Sequence, residues 1–367
     1  MNSEEILAII KRLADKRAPS GLEEERAKLF AKEINKRLSE KNIEVKKDLY
    51  GNHFIKLKGK GKKKGALAIF AHIDEIGGTI RKIQDNGSLE FSKRGGYEGR
   101  WLISKKIKIL NRQGKWVTGV IKGRSAHSTP ASLRKKEKLD PLEMEIFIGA
   151  SSKEEVLEKY AIHVGAPFVF AGEFGLLNSE FDNNILAGYS MDNLAALTSL
   201  IVLIDMIQDK LMDDFGRIRV PYDVYFVGST REEIGTEGAY YFAREQKISK
   251  SIAIDIGLVE NASGTINCGL ELNDEPVIVW QESKGYGILD YEFCKELVSI
   301  AEESGIGYQD GVFEFYGSDA GKTQKWLGIS SALLGIPTMF SHNVPEISTI
   351  AGIKKTAELI FEYIKKL

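Results

Sequence analysis

Ala71-His72-Ile73-Asp74-Glu75 directly follows the apolar run Ala66–Phe70, which puts an imidazole and two carboxylates at the end of a predicted buried strand. In open α/β sheets, ligands bind beyond the carboxyl ends of the strands. A carboxylate two residues past a histidine can accept the second ring N–H, fixing the tautomer and making the other nitrogen a better metal ligand. Taken alone, His72 and Asp74 read first as a capped turn. Arg231-Glu232-Glu233-Ile234-Gly235 lies between another strand and a helix. Adjacent carboxylates in apolar surroundings are costly unless a cation holds one of them, although the first turn of a helix also attracts acids. Asp255 follows the run Ser251–Ile254, where an ordinary turn residue would serve as well. Asp192-Asn193 opens an apolar helical stretch, and Asp is a good N-cap there. Ser341-His342-Asn343 follows Gly335-Ile336-Pro337-Thr338 in a loop, where a lone histidine is usually solvated.

Together these pieces say more than each does singly. His72, the Glu232/Glu233 pair and Asp255 fall at or near predicted strand ends, and His342 falls a few residues past one. Strand carboxyl ends of a parallel sheet share one edge, so these residues can converge. Only five histidines are present, so carboxylates must supply most ligands of any metal. Two histidines, three carboxylates and a spare glutamate form a nitrogen and oxygen set that zinc accepts, as do cobalt and manganese. With one carboxylate shared, five such ligands can hold two ions about 3.5–4 Å apart.

The elements that must position them follow from periodicity. Residues 3–18 carry apolar side chains at helical spacing, with Ser3 as the expected N-cap, and a second amphipathic helix is expected over 22–38. Two extended runs follow, Ile43–Leu49 and His53–Leu57. From about residue 80 to 170 short alternating segments such as Lys106–Leu110 and Trp116–Ile121 are separated by Gly, Asn and Lys turns, the mark of a small antiparallel unit. Beyond residue 186 helices (192–210, 235–246, 290–304, 350–367) alternate with strands (Tyr222–Val227, Ile252–Ile256, Ser331–Leu334). The expected fold class is α/β: a central, mostly parallel sheet with helices on both faces, formed by residues 1–76 and 178–367 and interrupted by a β-rich, barrel-like insertion at 77–177.

Composition limits the alternatives. A chain of 367 residues suggests about two domains. Hydrophobic residues make up 43% and charged ones 28%, an ordinary globular balance, and the net charge of −1 supplies no overall field to draw nucleic acid or a membrane surface. Cys268 and Cys294 lack C-x-x-C spacing, so neither a disulfide framework nor a cysteine-ligated zinc site is expected. The opening residues are acidic, and no run approaches the roughly 18 uninterrupted apolar residues of a membrane span, so the expected location is the cytoplasm. The lysine runs at 60–64 and 135–138 read as solvated turns. No phosphate-binding or dinucleotide fingerprint is present.

The strings A-H-I-D-E-I-G at 71–77, G-V-I at 119–121, I-G-A-S-S-K-E-E at 148–155, Asp192-Asn193, E-E-I-G-T-E-G-A at 232–239, A-I-D at 253–255, G-S-D-A at 317–320 and G-I-P-T-x-x-S-H at 335–342 occur in an order that resembles the tetrahedral aminopeptidases. These are the glutamyl-aminopeptidase-like (cellulase M-like) metallopeptidases. The resemblance implies that Asp192 bridges two divalent ions, that His72 and Asp255 complete one site, and that Glu233 and His342 complete the other. It further implies Glu232 as general acid/base, Asp74 as the partner of His72, and the insertion as a dimerisation module, with dimers building a dodecamer. The chain departs from the family pattern in four places. Leu194 replaces an Arg after the aspartate pair, Ser125-Ala126 a Pro-Pro before His127, Phe147 an Asp before I-G-A, and Tyr189 a Lys before the bridging aspartate.

The expected activity is hydrolysis of amino-terminal residues from peptides, with a metal-bridging hydroxide as nucleophile and Glu232 moving the proton. A glycosidase using two carboxylates as acid and base is an alternative, but it leaves His72, Asp255 and His342 without a task. A non-catalytic assembly or binding homologue is another, and it would have to carry a buried carboxylate cluster with no cation.

Overall fold

Gly65–His72 forms the strand its apolar run predicts, and every residue after Gly65 is buried. In this computed structural model it lies parallel to Tyr222–Ser229 on one side and to Lys250–Leu258 on the other, and Lys250–Leu258 lies parallel to Ser330–Met339. Residues 1–41, 43–62, 64–123, 125, 127, 129–130, 140–181, 184–259 and 269–367 are described. Ala126, the lysines at 63 and 135–138, and Cys268 lie outside the described residues.

Antiparallel strands flank this parallel core. His53–Leu57 and Lys46–Lys47 extend one edge, while Glu346–Thr349, Ile185–Gly188 and Gly175–Leu176 extend the other. Val277–Gln281 pairs with Ser330–Met339 and carries Gln309–Val312, which makes eleven strands among the described residues. Strand side chains alternate between faces, and each face has its own helices. Ile55, Leu67, Ile69, Val224 and Phe226 share one core with helices Ser3–Ala14, Glu24–Leu38 and Met191–Lys210. Phe54, Ala68, Phe70, Tyr225 and Val227 pack on the opposite face against Ala239, Phe242 and Ala243 of helix Glu237–Glu245.

Met191–Lys210 is long and apolar enough to cross a membrane, with mean hydropathy 1.4, but 83% of its apolar window is buried inside the protein. A helix apolar all round is what the centre of a large core requires.

Six further strands close a barrel in the order Gly77–Ile83, Leu89–Arg94, Glu145–Phe147, Trp116–Ile121, Lys106–Leu110 and Pro167–Ala171. Its interior is a second core of Ile80, Phe91, Ile107, Ile121, Ile146 and Phe168. Closure leaves no unpaired edge, so this short run of strands can be stable beside the larger sheet.

Local chemistry moves several expected boundaries. The first helix is capped by Asn2, not Ser3: Glu5 N donates to the Asn2 side chain and Asn2 N donates to the Glu5 carboxylate. The helix expected from residue 235 begins at Glu237, because Gly235 (φ 131°) and Thr236 (φ 55°) hold positive φ. Ser330–Met339 runs past the apolar stretch that marked it, since neighbours on both sides pair with it.

The most consequential feature of the sheet is where it opens. Lys250–Leu258 pairs with the His72 strand only as far as Ala253↔Phe70, yet continues beside Ser330–Met339 through Leu258↔Thr338. Two residues beyond that last shared rung stand His72 on one strand and Asp255 on the other.

Phe168 is fully buried and meets Phe91 edge to face at 5.3 Å between ring centroids. Phe168→Ala is expected to destabilise the barrel by about 3–5 kcal/mol. Urea unfolding followed by tryptophan emission measures this, and a loss under about 1 kcal/mol would mean that the barrel interior repacks freely.

Candidate metal centre

His72 sits at the end of its strand because the run 66–71 is continuous apolar sheet, and its ring continues past the last rung into the opened edge. The turn behind it places Asp74 fully buried beneath the strand ends. Asp74 accepts the Ser20 hydroxyl at 2.7 Å, Glu232 N at 3.0 Å and Glu233 N at 3.2 Å. One carboxylate therefore fixes the segment that carries the two glutamates. Arg231 holds positive φ (56°), and the pair lies in a turn, not in the first turn of the helix that starts at Glu237. Asp192 and Asn193 depart from helical φ/ψ at the start of Met191–Lys210, so Asp192 projects its side chain toward the histidines instead of capping.

Asp192 stands between the two imidazoles. His72 Nε2 lies 2.9 Å from its Oδ1 and His342 Nε2 lies 3.2 Å from its Oδ2. His342 Nε2 is also 3.3 Å from Glu233 Oε2, and Glu232 Oε2 is 3.9 Å from His72 Nε2. Both rings are oriented from behind. His72 Nδ1 faces the Asp74 backbone carbonyl at 3.1 Å and its carboxylate at 3.5 Å, while His342 Nδ1 meets the carbonyl of Gly96 in the barrel segment. Asp255 is buried near Asp192 and His72 but makes no ion pair with either histidine, and its Oδ1 accepts its own neighbour's N–H, that of Ile256, at 2.7 Å. All seven residues singled out by sequence thus lie at one place, six of them in direct contact with another member.

Charge at this place is unbalanced. Asp192 is held well below the usual carboxylate range: burial opposes ionisation, but the bonds from His342 and His72 outweigh it. Burial lifts Asp255, Glu232 and Glu233, and neighbouring acids lift them further, Asp192 acting on Asp255 and on Glu233, and Asp255 on Glu232. Glu233 Oε1 is buried with no hydrogen-bond partner. An acid-rich pocket with an orphaned carboxylate oxygen and two imidazoles is a donor set suited to divalent cations. His72, Asp192 and Glu233 each bring a ligand atom within 4.8 Å of the others.

Sequence reasoning missed the supports. Glu346 accepts the backbone N–H groups of both Asp192 and His342. Arg26, fully buried, donates to the carbonyls of Ile73 and Lys16, to Ser190 Oγ and to Glu75. Asp319 opens helix Asp319–Leu327, accepts the Ser229 hydroxyl, and is lifted to about 6 by burial. The G-S-D-A string flagged this region without a role, whereas nothing local distinguishes Arg26 from other helix arginines. Among the departures, Leu194 lies in the apolar core, Tyr189 donates to the Ala14 carbonyl at 3.0 Å, and Phe147 is exposed on the barrel. His53 is buried on the Gly51 carbonyl, away from the cluster.

The profile of the family described as M42 glutamyl aminopeptidase matches residues 51–359. The chain is 26% identical to a lysyl aminopeptidase of Pyrococcus furiosus over 341 residues, 88% of this chain and 87% of the relative. In structure it is similar to aminopeptidase APDkam598 from the archaeon Desulfurococcus kamchatkensis, with TM-score 0.87 and 27% identity over 100% of this chain and 96% of the other. It is also similar to the Pyrococcus horikoshii TET1 peptidase, which can assemble into a tetrahedron or a large octahedral shell, with TM-score 0.81 and 26% identity over 99% and 100%.

The charge imbalance predicts how the metal-free protein responds to pH. Burial lowers both histidines, but their acidic neighbours outweigh it and raise them well above 6.5, while burial and then Asp192 lift Glu346 to about 8. The folded state then holds more protons than the unfolded chain at neutral pH, so stability falls as pH rises through these values. The lowered Asp192 acts oppositely only in acid, where its contribution is lost as pH falls below 3.8. Chelator-treated protein should therefore show a Tm that drops between about pH 5 and 8, and added divalent cation should raise Tm most at the upper end. A metal-free Tm that climbs with pH over this window would contradict the assignment.

Proposed function

The chain belongs to the M42 glutamyl aminopeptidase family, and from that premise we propose that it removes amino-terminal residues from peptides with two divalent ions held by Asp192, His72, Asp255, Glu233 and His342. The observation that carries this reading is the position of Asp192, with one oxygen toward each histidine at 2.9 and 3.2 Å. On this reading Asp192 is common to both ions. His72 and Asp255 serve the side where the sheet opens, and Glu233 and His342 serve the side facing the barrel. Zinc is the first choice for this donor set, with cobalt or manganese also accommodated. When bound, such ions supply Lewis acidity at the scissile carbonyl and a nucleophile available near neutral pH.

The remaining steps belong to the protein. Glu232 is next to a ligand but carries no share of the cation in this assignment, and burial together with Asp255 and Glu233 holds its carboxyl well above the usual range. In this role Glu232 takes the proton of the attacking water and returns it to the leaving amine. Asp74 contributes position: it holds the Glu232 and Glu233 amides and backs His72, so the base and a ligand from each side share one anchor.

We further propose that residues 1–76 and 178–367 act as the catalytic unit and that the barrel at 77–177 mediates self-association, giving a homo-oligomer. A glycosidase mechanism would leave both imidazoles turned toward Asp192 with no task.

Glu232→Gln should retain metal while losing about 10²–10⁴-fold in kcat on aminoacyl chromogenic substrates. Asp192→Ala should lose metal and activity together, measured by elemental analysis beside the same assay. Near-normal turnover by the first variant, or two ions kept by the second, removes the corresponding role. Activity that survives exhaustive chelation removes the metal reading as a whole.

A further inference from the structure

Glu346 opens the strand Glu346–Thr349 and stands opposite Gly188 on the strand that leads into Asp192. Its buried carboxylate joins two segments that are far apart in sequence. Oε2 accepts the N–H of Asp192 at 3.2 Å and Oε1 accepts the N–H of His342 at 2.8 Å. The two oxygens of a carboxylate are a rigid unit, so these amides are held at a set spacing. They belong to the residues whose side chains meet at Asp192 Oδ2 and His342 Nε2, 3.2 Å apart.

Two further facts make this more than an ordinary buried bond. His342 has φ 59°, a backbone region that a residue with a side chain occupies only when its surroundings impose it. The bond from its own N–H to Glu346 is one such restraint. A single carboxyl group also supplies both acceptors, so neither backbone can move without the other. Two separate acceptors would fill the same hydrogen bonds without linking the two backbones; one rigid group links them.

We propose that Glu346 is a positioning residue for the cation shared by Asp192 and His342, setting the spacing of their backbones and hence the distance between their ligand atoms. The proposal rests on the two-ion reading above and adds a residue that touches neither ion nor substrate. Partners of this kind are worth about 10–100-fold in metal affinity.

Co2+ titration of the metal-free protein, read by calorimetry and by visible absorption, tests it. Glu346→Gln keeps the size but turns one acceptor into an NH2 group facing an N–H. It should weaken the Co2+ equivalent that His342 helps to hold by about 10–100-fold and shift its absorption bands, with a smaller effect on the other, which shares Asp192. Glu346→Asp keeps both acceptors at shorter reach and should weaken the same ion by less, so it carries the comparison if the glutamine variant does not fold. Ser348→Ala, in the same strand, removes a hydroxyl bonded to the Pro337 carbonyl and controls for general loosening: it should lower Tm and keep the wild-type Co2+ isotherm. Wild-type affinity and spectrum in either Glu346 variant overturn the proposal, as does equal weakening by Ser348→Ala. A wild-type protein that takes up no Co2+ sinks the two-ion reading itself, and Glu346 with it.

Discussion

The cost of holding many carboxylates together away from water governs this protein. Asp74, Asp192, Asp255, Asp319 and Glu346 are all buried within one neighbourhood, with Glu232 and Glu233 beside them, and the imidazoles of His72 and His342 meet the cluster. Burial penalises every charge, and like charges penalise one another. Such an arrangement persists only if the scaffold is strong enough to impose it or a cation relieves it; here the scaffold imposes it, and His72, Asp192 and Glu233 could hold a cation. Few residues are free to relax, because the acids stand at strand ends, in tight turns and at helix starts.

The restraint comes from a layer behind the cluster. Asp74 binds the Glu232 and Glu233 amides, Glu346 binds those of Asp192 and His342, and Arg26 ties the turn after His72 to Ser190 just before Asp192. The Arg26–Glu75 pair, at 2.7 Å, is fully enclosed. A buried ion pair adds little net stability over apolar packing, but loss of one partner costs about 3–5 kcal/mol because the other charge is stranded. Pairs of that kind are better at enforcing one arrangement than at raising overall stability, and one arrangement is what a site with ligands from distant segments needs.

The barrel is also part of this restraint. Its Gly96 carbonyl receives His342 Nδ1, Arg94 donates to the Ser20 carbonyl at 3.0 Å, and Lys105 reaches the Val344 carbonyl. His342 is thus oriented directly by the barrel, while His72 and Asp255 ride on strands of the large sheet.

Much of the architecture was legible along the chain because it rests on local rules. Continuous apolar runs marked the central strands, helical periodicity marked Met191–Lys210 and Ile350–Lys366, and alternation marked Lys106–Leu110 and Trp116–Ile121. Acids and histidines placed just past those runs nominated six of the cluster residues, since strand ends of a parallel sheet share an edge; Asp192 was nominated instead as the acid opening the helix Met191–Lys210. What local pattern does not contain is the register at which strands part, and this decides that Asp255 stands level with His72 across a gap. Nor does it contain the distant partners of Arg26 and Glu346, namely Ile73, Ser190 and Asp192, which lie roughly 50 to 160 residues away and so leave no periodic trace. The sequence alone determined which groups were available and on which elements they ride. Only the folded chain decided their distances and supports, because hydrogen bonds and charge repulsion depend on separation in space, which the order of residues does not record.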